Sequence, residues 1–351
     1  MSSRAAGSFT RARRTPCGGM RRSSHAISDS EGHEMKRIAI IGVGLLGGAV
    51  ASRLLEGAFA VRGYDSRPDQ LARLAPRGLT PATSVKDAAA GADAVFTILP
   101  SPESVEAVIL GAGGLLDVMP RSATLLQMST ISPTLTRRLA EAAAAAGRGF
   151  LDAPMSGTSA MVERGDCTIF VGGDAARLEA CRAVFAAVAR KTIHVGPVGS
   201  ASLAKLATNL LVGLNTAALA EALVLGEKGG LAPRALLDIL RESAAASKMV
   251  EVRGPLMVDE RFEPQMKLDL FLKDFRLMLE EGQRLGVPLP LTSLTQQLCT
   301  ATAAAGRGAE DLAALITTLR RMAGLSGSSA RRPSRRRPRR PPPRESSGSR
   351  R

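Results

Sequence analysis

Gly42-Val43-Gly44-Leu45-Leu46-Gly47 is a GxGxxG run, and Asp65 follows 18 residues after its last glycine. Such a run cradles a dinucleotide when it closes a strand, opens a helix and is followed by an acid roughly 20 residues on. Gly42 permits the tight turn, Gly44 lets backbone approach a pyrophosphate, and Gly47 lets the helix pack closely on the strand. The helix start adds N–H donors and partial positive charge for an anion. Asp65 is then expected to accept from adenine-ribose hydroxyls, which favours NAD over NADP. Arg67 pulls the other way, since a guanidinium there suits a 2′-phosphate. Far along the chain, Lys205 and Asn209 are i and i+4 in a stretch of helical spacing, hence on one face. Lys handles a proton when burial lowers its pKa toward neutrality, and Asn can orient an oxygen. His194 sits at a strand end beside a domain junction and reads as structural. Nothing near Cys167 would activate a thiolate.

These groups need elements to hold them. Arg37–Gly42 is a short apolar run ending in Gly, read as a buried parallel strand. Leu45–Glu56 has helical spacing, and Ala60–Asp65 reads as the second strand. Ala94–Pro100, Ala123–Ser129 and Phe150–Ala153 are further strands, each reached through a helical stretch. Ser132–Gly147, with Pro133 in its first turn, is the clearest of those helices. Cys167–Gly173 and Lys191–Gly196 are late strands around a helix near Ala175–Arg190. Strand–helix alternation predicts an α/β fold: a doubly wound, mostly parallel Rossmann sheet. After Gly199 the pattern changes to one long apolar helix, Leu203–Gly229, and then helices over 233–245, 270–285 and 309–323. The long helix carries enough polar groups to argue against a membrane span, and it is apolar enough to need burial in a bundle or a dimer. The expected division is a 1–34 extension, a dinucleotide-binding domain 35–197, an all-helical substrate and dimerisation domain 198–324, and an Arg/Pro-rich tail 325–351.

Charge agrees with that division. The net charge is +15, but residues 1–34 hold six Arg and three acids, and residues 325–351 hold ten Arg and one acid. The stretch between is left with +3, nearly neutral. The basic ends read as disordered tails, so a nucleic-acid partner rests on the Arg tail alone and is not expected. Residues 1–34 lack a secretory apolar region and an amphipathic stripe; the plainest reading is an extension the fold does not need. Aromatics are 3% of residues, with Trp absent, against stacking on single-stranded nucleic acid. Cys17, Cys167, Cys181 and Cys299 form no CxxC and no Cys/His ligand spacing, so no metal site is expected, and a reducing cytoplasm is.

Over residues 35–323 the chain resembles the 3-hydroxyisobutyrate dehydrogenase-related family of β-hydroxyacid dehydrogenases, cousins of 6-phosphogluconate dehydrogenase. IAIIGVGLLGGAVASRLL looks like the family's cofactor segment, with Leu46 and Val50 where the family usually has Met. Leu99, Pro100, Ser104 and Thr130 fall where the family lines the nicotinamide half of its site. Asp152-Ala153-Pro154-Met155-Ser156-Gly157-Thr158 stands for the family's DAPVSGG, with Met161-Val162 replacing a Gly-Ala pair. Gly199 to Asn209 looks like its catalytic GxGxxxKxxxN, with Ala201 for the second Gly. Lys273-Asp274 matches its Lys-Asp pair near the cofactor. The resemblance implies reversible hydride transfer between NAD(P) and a small β-hydroxy acid in a homo-oligomer. Lys205 would then be acid/base and Asn209 would orient the substrate oxygen. Ser156, with the N–H groups of Gly157 and Thr158, would make a donor nest for a carboxylate; Lys273 would add positive charge. Thr158 and Met161-Val162 put bulk at the acid pocket and point away from 3-hydroxyisobutyrate itself. An imine reductase or semialdehyde reductase on the same fold, and a non-catalytic NAD(P)-binding protein, are the alternatives. Lys205 argues against the imine reductase, and Lys205, Asn209 and Ser156 together argue against the non-catalytic protein.

Overall fold

The computed structural model describes residues 35–325. The expectations for residues 1–34 and for the tail beyond 325 lie outside the described residues. The strands are β1 (Arg37–Ile41), β2 (Ala60–Tyr64), β3 (Thr80–Pro81), β4 (Ala94–Thr97), β5 (Thr124–Gln127), β6 (Gly149–Asp152), β7 (Met155–Ser156), β8 (Thr168–Gly172) and β9 (Lys191–Gly196). They form one sheet in the order β3-β2-β1-β4-β5-β6-β8-β7, with β9 also paired to β8. The strands from β3 to β6 are parallel. Their central members are buried on both faces, which suits runs such as Ile38–Ile41 that are apolar without alternation. Two apolar layers result. One, with Ile38, Ile40, Phe96 and Phe185, packs on the helix Leu45–Glu56 side. The other, with Ile41, Val95, Leu125 and Leu139, packs on the Pro133–Ala145 side.

The sheet is mostly parallel, as the alternation of strand and helix predicts, and β8 is where the direction changes. β8 runs antiparallel to β6 and β7. Between β6 and β8 the chain is spent on β7 and the one-turn helix Ser159–Glu163; no long crossover carries it back, so it returns antiparallel. The helix read around Ala175–Arg190 is two, Ala175–Ala180 and Arg182–Val188, broken at Cys181.

A central helix, Ser200–Lys228, follows β9 and carries the rest of the chain around it. Pro233–Glu242, Lys248–Val258, Leu268–Leu285, Pro290–Thr302 and Leu315–Met322 complete the helical region. The last begins later than the pattern over 309–323 suggests, because Leu312–Ala314 is a 3₁₀ turn. Lys248–Val258 and Pro290–Thr302 are absent from the sequence reading. Gly254 and Pro255 disguise the first. It survives because Gly254 lets Leu237 approach, a Cβ there falling 2.3 Å from Leu237 Cδ1. The buried Arg253–Asp311 ion pair, 3.1 Å, also holds it. Asp311 in turn accepts from the N–H groups of Gln265 and Met266, tying down the entry to the Leu268–Leu285 helix.

By length and hydropathy the central helix could cross a membrane. Here its faces with Leu206, Ala217, Leu219 and Leu223 pack into two apolar clusters of the helical region. Cys167, Cys181 and Cys299 are all free and buried. Burial pushes their thiols up to about 11, 11 and 12.

Candidate active site

The glycine run follows β1 and opens Leu45–Glu56. Gly42 has φ +95°, and a Cβ there would lie 2.3 Å from Ile98 O. A Cβ at Gly47 would lie 1.9 Å from Gly42 O. Both contacts are backbone, so only glycine fits at either position. At Gly44 a Cβ would meet only the Arg67 guanidinium, at 3.9 Å, leaving the loop's outer face open. The helix cap, Gly44, has no side chain over the first turn, so its N–H donors are left for an anion. Leu45, exposed, and Leu46, half-buried, complete the run. This cradle fits a dinucleotide pyrophosphate.

Asp65 stands at the end of β2, as the spacing requires. Its Oδ2 accepts from Val43 N at 2.8 Å and its Oδ1 from Arg67 N at 2.9 Å. The acid therefore also closes the glycine loop onto β2, a role the spacing did not announce. Arg67 is exposed, with Nε 3.8 Å from Asp65 Oδ1. Leu99 touches the loop, its Cδ2 being 3.1 Å from a Cβ built at Gly42. Its N–H donates to Ser129 Oγ at 2.8 Å. Pro100 follows in the turn before the helix Pro102–Leu110. Ser104 is half-buried, and its hydroxyl is engaged in the capping box with Ser101, donating to Ser101 O at 2.8 Å.

The second group assembles across the helical region. Lys205 is 8% exposed and Asn209 4%, on one face of the central helix. Asn209 Nδ2 donates to Asp274 Oδ2 at 2.7 Å. Asp274 Oδ1 lies 2.9 Å from Lys273 Nζ, and Lys273 Nζ donates to Thr130 O at 2.7 Å. Lys273 thus spans from the helical region to the segment after β5, and Asp274 joins it to Asn209. The Lys205 amine is lowered from 10.5 to about 8; burial is the main cause, Lys273 adds to it, and Asp274 opposes it. Near neutral pH a far larger share of such amines is neutral than of an ordinary Lys. That makes Lys205 a usable proton acceptor and donor near neutrality.

Ser156 lies in β7 opposite Thr168, and the central helix packs against β6, β7 and β8. Gly157 sits so close to Cys167 that a Cβ would fall 2.9 Å from the Cys167 Cβ. The Thr158 hydroxyl accepts from Met161 N at 3.3 Å, capping Ser159–Glu163. The bulk expected of Thr158 is therefore a helix cap as well. No hydrogen bond joins Ser156–Thr158 to Lys205 among the described residues. His194 Nε2 donates to Gly173 O at 2.9 Å, a structural bond. Among the described residues no group of His, Cys, Asp and Glu could hold a metal ion. A cleft of about 780 Å³ shares no residue with this site; it is lined by Glu260, Arg307, Glu310 and Arg320, which pair within the protein.

The Rossmann sheet with its dinucleotide cradle, together with the dehydrogenases and reductases the chain is similar to, makes the protein an NAD(P)-dependent oxidoreductase acting on hydroxyl groups. Residues 37–196 match the NAD binding domain of 6-phosphogluconate dehydrogenase, and residues 199–319 the NAD-binding domain of NADP-dependent 3-hydroxyisobutyrate dehydrogenase. The chain belongs to the 3-hydroxyisobutyrate dehydrogenase-related family, within the 6-phosphogluconate dehydrogenase-like superfamily. It is 35% identical to a 2-(hydroxymethyl)glutarate dehydrogenase of Eubacterium barkeri, over 83% of this chain and 97% of the relative. It is 34% identical to an L-threonate dehydrogenase of Cupriavidus necator, over 80% and 95%. The solved 3-hydroxyisobutyrate dehydrogenase of Salmonella typhimurium superposes with TM-score 0.75 at 29% identity, covering 80% of this chain and 99% of that one.

Proposed function

We propose that the protein is an NAD-preferring dehydrogenase of a small β-hydroxy acid, with Lys205 as acid/base. The observation that carries this reading is the buried Lys205 amine, lowered to about 8, one turn from an Asn209 held by Asp274. When bound, NAD(P) supplies the hydride acceptor for oxidation and the donor for reduction. Lys205 Nζ takes the substrate's hydroxyl proton in oxidation and returns it in reduction. Asn209 keeps its Oδ1 for the substrate hydroxyl, because Asp274 fixes the amide by its nitrogen. Ser156, Gly157 and Thr158 bind the carboxylate. The relatives named for threonate and hydroxymethylglutarate act on acids more polar than 3-hydroxyisobutyrate. That supports a substrate with an extra polar group here. A panel of 3-hydroxy acids with NAD and NADP, followed by absorbance of the reduced cofactor, tests the reading. No turnover of any β-hydroxy acid would end it.

The lowered amine fixes the sign of the pH dependence. Oxidation needs neutral Lys205, so kcat/KM for oxidation should rise through about pH 8 and level off above it. Reduction needs the ammonium, so it should fall over the same range. Two pH profiles check this, and parallel profiles in both directions would contradict it.

Asp65→Ser should raise KM for NAD more than KM for NADP, since the variant removes the repulsion of a 2′-phosphate beside Arg67. Both constants should also worsen somewhat, because the bond to Val43 N weakens. A wild type already more efficient with NADP would reverse the preference.

The protein should also be a homo-oligomer. Leu203, Leu211 and Leu225 of the central helix are 42%, 57% and 76% exposed, at spacings that place them on one stripe with Ala207 and Ala218. An exposed apolar stripe of that length is a partner surface. Light scattering at micromolar concentration should give at least a dimer, and a monomer would refute it.

A further inference from the structure

Asp152 ends β6 with no accessible surface. Its Oδ2 accepts from the backbone N–H groups of Gly199, at 3.0 Å, and Ser202, at 2.9 Å. Its Oδ1 accepts from the Ser202 hydroxyl at 2.8 Å. Ser202 Oγ also lies 2.8 Å from Thr136 Oγ1, whose one hydrogen goes either to it or to Ser132 O, 3.0 Å away. One carboxylate therefore ties β6, the start of the Pro133–Ala145 helix and the start of the central helix together. Gly172, opposite Asp152 in the sheet, leaves room for this. A Cβ there would lie 2.8 Å from Pro197 O and 3.3 Å from Ala201 N. The helix start has come as near the sheet as glycine permits.

A buried carboxylate is a costly way to fill a core, and an apolar side chain of the same size often does as well for stability. What it adds is direction, since each oxygen accepts along defined lines. Lys205 is one turn beyond Ser202, about 4.5 Å along the axis, and Asn209 one turn further. A tilt or slide of the helix start passes directly to both.

We propose that Asp152 is a positioning residue: through Ser202 and the N–H groups of Gly199 and Ser202 it pins the central helix to β6 and so sets where Lys205 Nζ and Asn209 stand. The proposal rests on the reading of Lys205 as acid/base, and its test separates the two. In Asp152→Ala, kcat should fall by about a hundredfold, the cost of roughly an ångström of misplacement. KM should change much less, and the NADH dissociation constant, read by fluorescence, should stay within about twofold. Asp152→Asn should recover kcat to within about fivefold of wild type. Its oxygen still accepts from both N–H groups, and its NH₂ can donate to Ser202 Oγ, whose hydrogen turns to Thr136. Placed on Lys205→Met, Asp152→Ala should add much less than its own loss of about a hundredfold, only the part that passes through Asn209, because a positioning residue acts only through what it positions. A readout apart from activity is acylation of Lys205 by an amine reagent, followed by mass spectrometry against pH. Its midpoint should move up from about 8 toward 10.5 in Asp152→Ala and stay in Asp152→Asn.

Several results would overturn the proposal. They are a folded Asp152→Ala with kcat within about threefold of wild type, an Asn variant no better than the Ala variant, and an additive loss on the Lys205→Met background. Should Asp152→Ala fail to fold, Asp152→Asn and Ser202→Ala carry the test. Ser202→Ala should lose about tenfold in kcat with cofactor binding kept, and unchanged kcat would refute the proposal. If Lys205→Met keeps its turnover, the acid/base reading falls. The acylation midpoint then decides alone whether Asp152 positions Lys205.

Discussion

Lys205→Met should lower kcat by about a thousandfold while the NADH dissociation constant stays within about threefold. Met has nearly the length of Lys and keeps the packing of a position that is only 8% exposed, so the loss reads the amine rather than a cavity. The size follows from the role. General acid–base groups contribute about a hundred- to ten-thousandfold, and burial lowers the Lys205 amine to about 8. Lys205→Arg should fail as badly, since a guanidinium keeps the charge and does not give up its proton. Turnover near that of wild type in either variant would end the assignment. A parallel collapse of cofactor affinity would make Lys205 a cofactor ligand instead.

Gly47→Ala should do the converse, weakening NADH or NADPH binding by at least about a hundredfold, or about 2.7 kcal/mol. The added Cβ would stand 1.9 Å from Gly42 O. The clashing atom is backbone, so no rotamer change relieves it, and the loop has to open. Opening separates the first-turn N–H groups from the path of the pyrophosphate. The fold should lose less, about 1–3 kcal/mol, as over-packing usually costs. A fluorescence titration with a melting curve beside it checks both halves. Affinity within about threefold of wild type would mean that the loop is not the cradle.

What could be read in advance was local. The glycine run and Asp65 are legible because a tight turn, a close approach and a strand end each demand a residue type at a fixed offset. Lys205 and Asn209 are legible through the resemblance to the family's GxGxxxKxxxN segment, and the 3.6-residue repeat places them on one helix face. The hidden parts are long-range. Asp274 meets Asn209 from 65 positions away, Ser202 meets Asp152 from 50, and Arg253 meets Asp311 from 58. No periodicity encodes such pairings. The Lys273-Asp274 pair drew attention to its lysine, yet it is the aspartate that joins Asn209 to Lys273. Strand direction was hidden for a related reason: β8 turns antiparallel because of what its connection lacks, and connection geometry is a property of the folded chain. Lys248–Val258 was hidden by Gly254 and Pro255, breakers in isolation that packing against Leu237 overrules.

The three buried thiols give the protein an internal stability gauge. Cys167 and Cys181 belong to the sheet's apolar layer, and Cys299 to the cluster around Phe271 and Phe275 in the helical region. With thiols raised to about 11 and 12, none reacts while its surroundings stay shut. Alkylation then proceeds only through local opening, at a rate that measures the free energy of that opening. Comparing Cys299 with Cys167 and Cys181 by mass spectrometry would tell whether the sheet and the helical bundle unfold as one cooperative unit or as two.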